Sequence, residues 1–207
     1  MGTKTYSGDG IDITFDSTRC IHAAECVRGL PAVFDPKARP WICPDAASAD
    51  AIASVVSRCP TGALTYAHHD GPEEPHDPQN RVRVRADGPL WVRGRIAIDG
   101  GASDERRVAL CRCGHSANKP FCDNAHRDAG FQHDGRGEVR TVEATGDAAL
   151  SVKPLADGPL FLSGDFEVVG ADGTVLFSGT KCALCRCGQS ATKPFCDGSH
   201  RAAGFKG

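Results

Sequence analysis

Cys111, Cys113, Cys122 and His126 recur 74 residues later as Cys185, Cys187, Cys196 and His200. Each set offers three thiols and one imidazole in the spacing C-x-C-x8-C-x3-H, within about sixteen residues of chain, which suits a metal centre. Disulfides fit poorly. Eleven cysteines is an odd total, there is no secretory signal, and the thiols of a C-x-C are badly placed to bridge one another. Zinc and iron–sulfur remain. Structural zinc usually takes cysteines spaced C-x2-4-C, so a C-x-C is an imperfect match. An iron–sulfur cluster is larger than one ion and lets the C-x-C hold one iron while Cys and His hold the other.

Around these donors both copies read C-x-C-x2-S-x3-P-x-C-D-x2-H, and the second contains the literal Cys196-Asp197-Gly198-Ser199-His200. This closely resembles the signature of the CDGSH iron–sulfur (NEET) family. The resemblance implies one [2Fe-2S] cluster per motif, ligated by Cys111, Cys113, Cys122 and His126 and by Cys185, Cys187, Cys196 and His200. The first copy departs from the pattern with Asn124-Ala125 in place of Gly-Ser. Asn is among the few residues other than Gly that tolerate a left-handed backbone.

One imidazole in place of a thiolate makes such a cluster less negative and eases its reduction, and it ties cluster retention to pH. Lys119 and Lys193, each before a proline, can place positive charge near the cluster. Ser116 and Ser190 are expected to hydrogen-bond a sulfur. Asp123 and Asp197 read as caps of a short helix carrying the histidine, and Phe121 and Phe195 as cover for the cluster or core.

The elements that position these residues begin with Ile11-Asp-Ile13-Thr-Phe15, whose alternation predicts a half-buried strand. Beyond it lie Cys20, His22, Cys26, Cys43 and Cys59. A helix capped by Asp45 or Ser48, with Ile52, Val55, Val56 and Cys59 on one face, ends at Pro60 and delivers Cys59 toward the loop cysteines. Positions 20, 23 and 26 have the C-x2-C-x2-C spacing of a ferredoxin, but position 23 is alanine. This stretch, about Ile11 to Tyr66, is similar to the divergent single-cluster ferredoxin domains. The similarity implies that Cys20, Cys26 and Cys59 hold a [3Fe-4S] cluster, or a [4Fe-4S] cluster with His22 as the nearest candidate for the fourth iron. Cys43 reads as a buried free thiol.

Residues 67–80 are polar and rich in proline and charge, and read as a linker whose His68, His69 and His76 are solvated. From Arg81 the period changes to two, and Asp87-Gly88-Pro89-Leu90 returns as Asp157-Gly158-Pro159-Leu160, so the repeat includes strands as well as donors. The expected architecture is α+β: a ferredoxin-like module over 1–66, then a β-rich, pseudo-twofold tandem of repeats over 81–140 and 141–207. It looks like the mitochondrial inner NEET type, in which one chain supplies both halves, and implies a monomer. Cys182 is expected to be a small packed side chain.

A net charge of −2 argues against a nucleic-acid surface, and no apolar run is long enough for a membrane span. Free thiols point to a reducing, cytoplasmic setting. No phosphate loop, nucleophile elbow or paired-carboxylate motif suggests an enzyme. The expectation is an electron carrier with an unidentified redox partner. A donor of clusters to an apo-acceptor protein, or an iron or redox sensor, is the alternative, followed by a zinc-stapled adaptor.

Overall fold

The computed structural model describes residues 2–101, 104–141, 143 and 146–207. They are mostly β with few helices, and the chain divides into two compact units, Met1–Pro75 and His76–Gly207.

The first unit is a three-stranded antiparallel sheet of β1 (Thr3–Ser7), β2 (Ile11–Asp16) and β3 (Leu64–His68), with β2 in the centre. Between β2 and β3 run α1 (Glu25–Gly29), a 3₁₀ turn (Pro44–Ala46) and α2 (Ala49–Val56). Ile11 and Ile13 alternate inward as expected and meet Ile52 and Val56 of α2, together with Phe34 and Ile42. Ser48, not Asp45, caps α2, its hydroxyl accepting from the Ala51 N–H at 3.4 Å. β1 is largely exposed and carries no apolar alternation, so nothing in its sequence announced it.

The second unit repeats one pattern of three strands: β4 (Arg81–Val84), β5 (Leu90–Ile98) and β6 (Glu105–Leu110), then, after α3 (Ala125–Asp128), β7 (Leu150–Pro154), β8 (Leu160–Val169) and β9 (Val175–Leu184). Within each repeat neighbouring strands pair antiparallel. Between repeats the first strands are exchanged: β4 pairs parallel with β8, and β7 pairs parallel with β5. The four pairings close β4, β5, β7 and β8 into a small barrel, with β6 and β9 continuing it outward. Its core draws on both repeats, including Val82, Val92, Leu110, Leu162, Phe166 and Leu184.

The stretch expected to be a linker is structured at both ends. His68 belongs to β3, and His69 donates its N–H to Gly10 O and its ring approaches Asp12 at 3.1 Å. Asn80 is buried at 6% exposure. Its amide donates to Ala148 O and Asp165 O at 2.8 and 2.7 Å and accepts from the Arg95 N–H at 2.8 Å. Polar composition suggested solvation. Here a polar side chain is buried because it satisfies backbone groups beside Gly94 and Gly164, where β5 and β8 bulge.

Candidate metal centres

Both motifs in the second unit are built identically. The strand ending at Leu110 or Leu184 runs into the C-x-C, and the chain returns to bridge that leucine through Phe121 or Phe195. Cys111 N–H donates to Pro120 O and Cys122 N–H to Ala109 O, at 2.8 and 2.9 Å, and Cys185 and Cys196 repeat these bonds at the same lengths. These bonds lay the C-x-C stretch against the stretch that carries the third cysteine. Cys111 and Cys113 sulfurs are 3.6 Å apart, and Cys122 Sγ lies 3.6 Å from His126 Nδ1. In the second motif the distances are 3.7 Å for Cys185 and Cys187 and 3.5 Å for Cys196 and His200 Nδ1.

These spacings test the fit. Two thiolates each about 2.3 Å from one tetrahedral metal lie about 3.8 Å apart, and a thiolate and an imidazole nitrogen about 3.6 Å. Each motif therefore offers two chelating pairs, one Cys/Cys and one Cys/His. Among the described residues no three His, Cys, Asp or Glu converge on a single ion.

Backbone amides surround the sulfurs. His115, Asn124, Gln189 and Gly198 N–H groups donate to Cys113, Cys122, Cys187 and Cys196, each at 3.4 Å. The two thiols of the C-x-C share one hydrogen bond that pulls Cys111 down and pushes Cys113 up, while Cys122 is pushed up to about 11 by burial. Burial also lowers His126, favouring the neutral, ligating form. Asn124 adopts φ 73° where its counterpart Gly198 has φ 90°, so the departure from Gly is accommodated as expected.

Other expectations are corrected or refined. The hydroxyls of Ser116 and Ser190 do not reach sulfur: each donates to a backbone carbonyl, Phe121 O or Phe195 O, at 2.7 Å. The backbone amide of each serine serves the first cysteine of its motif instead. Lys119 and Lys193 keep their positive charge within each motif, their ammonium groups donating to Ser116 O and Ser190 O. Asp123 stands one residue before the N-cap position of α3, yet its carboxylate accepts from the first helical amide, Ala125, as a cap does, and Asp197 does the same for Ser199 in a turn that is not a helix. Each carboxylate accepts from two backbone amides, tying the histidine turn to the Ala117 or Ala191 loop at 2.8 Å. Phe195 is core, with Phe121 packed against it, and Cys182 is packed there too, its thiol pushed up to about 12 by burial.

Within the motifs the sequence reading missed Arg112 and Arg186, the buried middle residue of each C-x-C. Arg112 donates to Gly88 O and Arg85 O, and Arg186 to Gly158 O and Leu155 O, so each guanidinium holds the turn that begins its repeat. Burial pulls Arg112 down to about 10, opposed by the Cys185 thiolate of the other motif, while Arg186 is supported reciprocally by Cys111. Their identical placement in both copies was the available signal. The motifs also touch directly, through a bridge between Cys113 and Cys187.

In the first unit Cys20 and Cys26 are half-buried and Cys59 is buried. Burial raises Cys20 and Cys26, and the neighbouring Cys59 adds to both shifts. The three line a cavity of about 620 Å³ with His22, Ala23 and Trp41, so the donors inferred for one cluster face one space. The Ala23 methyl stands where a fourth thiol would fit the spacing. His22 is exposed and offers its backbone N–H to Cys20. Left-handed His22 and Ala24, φ 52° and 63°, curl the loop around the cavity. Cys43 is exposed, not buried, because Ile42 takes the inward position of that bridge.

Thiols and imidazoles paired at metal-chelating distances in one unit, and three thiols around a cavity in the other, define an iron–sulfur protein. Residues 6–69 match the family described as a divergent 4Fe-4S mono-cluster, and residues 87–127 and 157–201 match the iron-binding zinc finger of CDGSH type. The chain belongs to these iron–sulfur families. It is 40% identical over 67 residues, 32% of its length, to the uncharacterized protein YjdI of Escherichia coli strain K12, covering 88% of that protein, and equally to YjdI of Escherichia coli O157:H7.

Proposed function

We propose that the protein is a non-enzymatic electron carrier with a [2Fe-2S] cluster in each CDGSH motif and a [3Fe-4S] or [4Fe-4S] cluster in the first unit. The observation that carries this is the division of each motif into two pairs of donors at chelating distance. Cys111 and Cys113, or Cys185 and Cys187, would hold one iron, and Cys122 with His126, or Cys196 with His200, the other. Cys20, Cys26 and Cys59 would hold the third cluster, with His22 as the candidate fourth ligand if it is a [4Fe-4S] cluster. Bound clusters of these types supply one-electron redox chemistry. The chain's own residues donate N–H bonds to the ligand sulfurs, which favours the reduced state, and bury His126 so that its ring stays neutral.

Closure of one barrel from both repeats supports a pseudo-twofold unit and a monomer. Free thiols as ligands support a reducing, cytoplasmic setting, and no helix of the described residues is long and apolar enough to cross a membrane. Anaerobic purification followed by absorption and paramagnetic-resonance spectra, with iron and acid-labile sulfide assays, tests the proposal. Expected are [2Fe-2S] bands that bleach and return reversibly with reductant and oxidant. A colourless protein with stoichiometric zinc overturns it.

A second reading, donation of clusters to an apo-acceptor, is favoured by one feature. Cys196 and His200 are half-buried, whereas Cys122 and His126 are buried. Mixing holo-protein with an apo-ferredoxin separates the two, since a carrier retains its clusters.

A further inference from the structure

One face of the first barrel repeat carries arginines that the fold does not require. On β4, Val82 and Val84 point inward and Arg81 and Arg83 outward. Register sets Arg81 opposite Arg93 and Arg83 opposite Trp91 on the outer face, while Arg107, opposite Arg93 on the other side, is buried at 2% exposure and adds nothing to that face. Like charges so placed destabilise a sheet. Asp77 meets Arg93 at 2.6 Å and Glu167 meets Arg81 at 3.1 Å. Arg83 makes no ion pair among the described residues, and the Arg85 guanidinium lies on the Trp91 ring, 4.1 Å from its centre.

The second repeat is an internal control. It builds the same strands with Ser151 opposite Ser163 and Lys153 opposite Phe161. The barrel therefore closes without the arginines. Between Asp77, Gln79, Arg81, Arg83, Trp91 and Arg93 lies a pocket of about 330 Å³, and the Trp91 indole N–H has no hydrogen-bond partner among the described residues. The patch adjoins the first motif, since Trp91 pairs with Ala109, whose carbonyl accepts the Cys122 N–H at 2.9 Å.

The geometry points to this face as the docking site for the acidic surface of a protein electron-transfer partner, held beside the first motif and not the second. The inference rests on the electron-carrier reading above. Guanidinium forks match carboxylates in pairs, and a basic patch on a chain whose net charge is −2 steers an acidic partner to one place. In the docked pair one electron leaves one protein and enters the other, with no bond made or broken.

The test uses the holo-protein and a dye-labelled polyglutamate peptide, read by fluorescence anisotropy at low salt. Saturable binding is expected, weakened by about tenfold or more in Arg83→Glu and by added salt, and unaffected by Lys153→Glu at the matching position of the second repeat. Absence of saturable binding, or equal loss in both variants, overturns the site. Tighter binding of pyrophosphate than of the peptide overturns a protein partner in favour of a small anion. In a second arm, reduced holo-protein is mixed with ferricyanide or with hexaammineruthenium(III), and Arg83→Glu should slow only the anionic oxidant. If neither oxidant restores the oxidised spectrum, the carrier reading fails, while the peptide result still reports on the site alone.

Discussion

A methyl group at position 114 would end the contact between the two motifs. Gly114 has φ +88°, and a Cβ there would lie 2.7 Å from the Cys187 carbonyl oxygen. Gly114→Ala is expected to destabilise the second unit by about 2 kcal/mol or more and to reduce iron retention in both motifs, read by thermal unfolding and iron assay. Gly130→Ala is the control, since its φ of +61° is strained but the space is open, at a cost of about 1 kcal/mol. Asp157 shows the pH side of residue-scale chemistry. Hydrogen bonds from Lys206 and the Gly207 N–H hold its carboxyl below the usual range. Because the folded value is depressed, this clamp is fully present above the unfolded value of about 3.9 and is lost as pH falls through the folded one. Hydrogen exchange at residues 204–207 should therefore be insensitive to pH effects on the clamp near neutrality and rise in Asp157→Asn.

At the scale of elements, the exchanged strands depend on a few side chains that satisfy backbone groups where regular pairing stops. Asn80 makes three such bonds, so Asn80→Ala is expected to cost about 2 kcal/mol, measured by denaturant unfolding, whereas Asn80→Asp retains part of the acceptor role. Asn80 also marks a limit of sequence reading. Periodicity revealed β2, α2, β4 and the two short runs that join as β5, because their buried positions recur at fixed intervals, and the echo of Asp87–Leu90 pointed to β8, whereas β6, β7 and β9 went unannounced. Periodicity could not reveal β1, where Tyr6 alone packs against the core, or the burial of Asn80, which depends on partners 68 and 85 residues away. Spacing alone brought out the Cys/Cys and Cys/His pairs that the structure holds at chelating distance, since each pair is local. The serine hydroxyls went astray because a backbone carbonyl five residues on competes for the same proton.

At the scale of the molecule, two units carry separate sets of donors. Replacing Cys20, Cys26 and Cys59 together by serine is expected to remove the paramagnetic signal and iron of the first unit alone. The absorption bands assigned to the CDGSH motifs should persist, and their loss would show that the units are not independent. The matching of residues 6–69 to one family and of 87–127 and 157–201 to another fits that division.

The parallel pairings of β4 with β8 and of β5 with β7 have a thermodynamic corollary. In a barrel assembled from two chains, mass action would let dilution pull the halves apart. Here the partner strand is always present at the effective concentration set by a short tether, so the fold's stability should not vary with protein concentration. A single repeat cut loose would instead show bare strand edges, and would be expected to find them another mate.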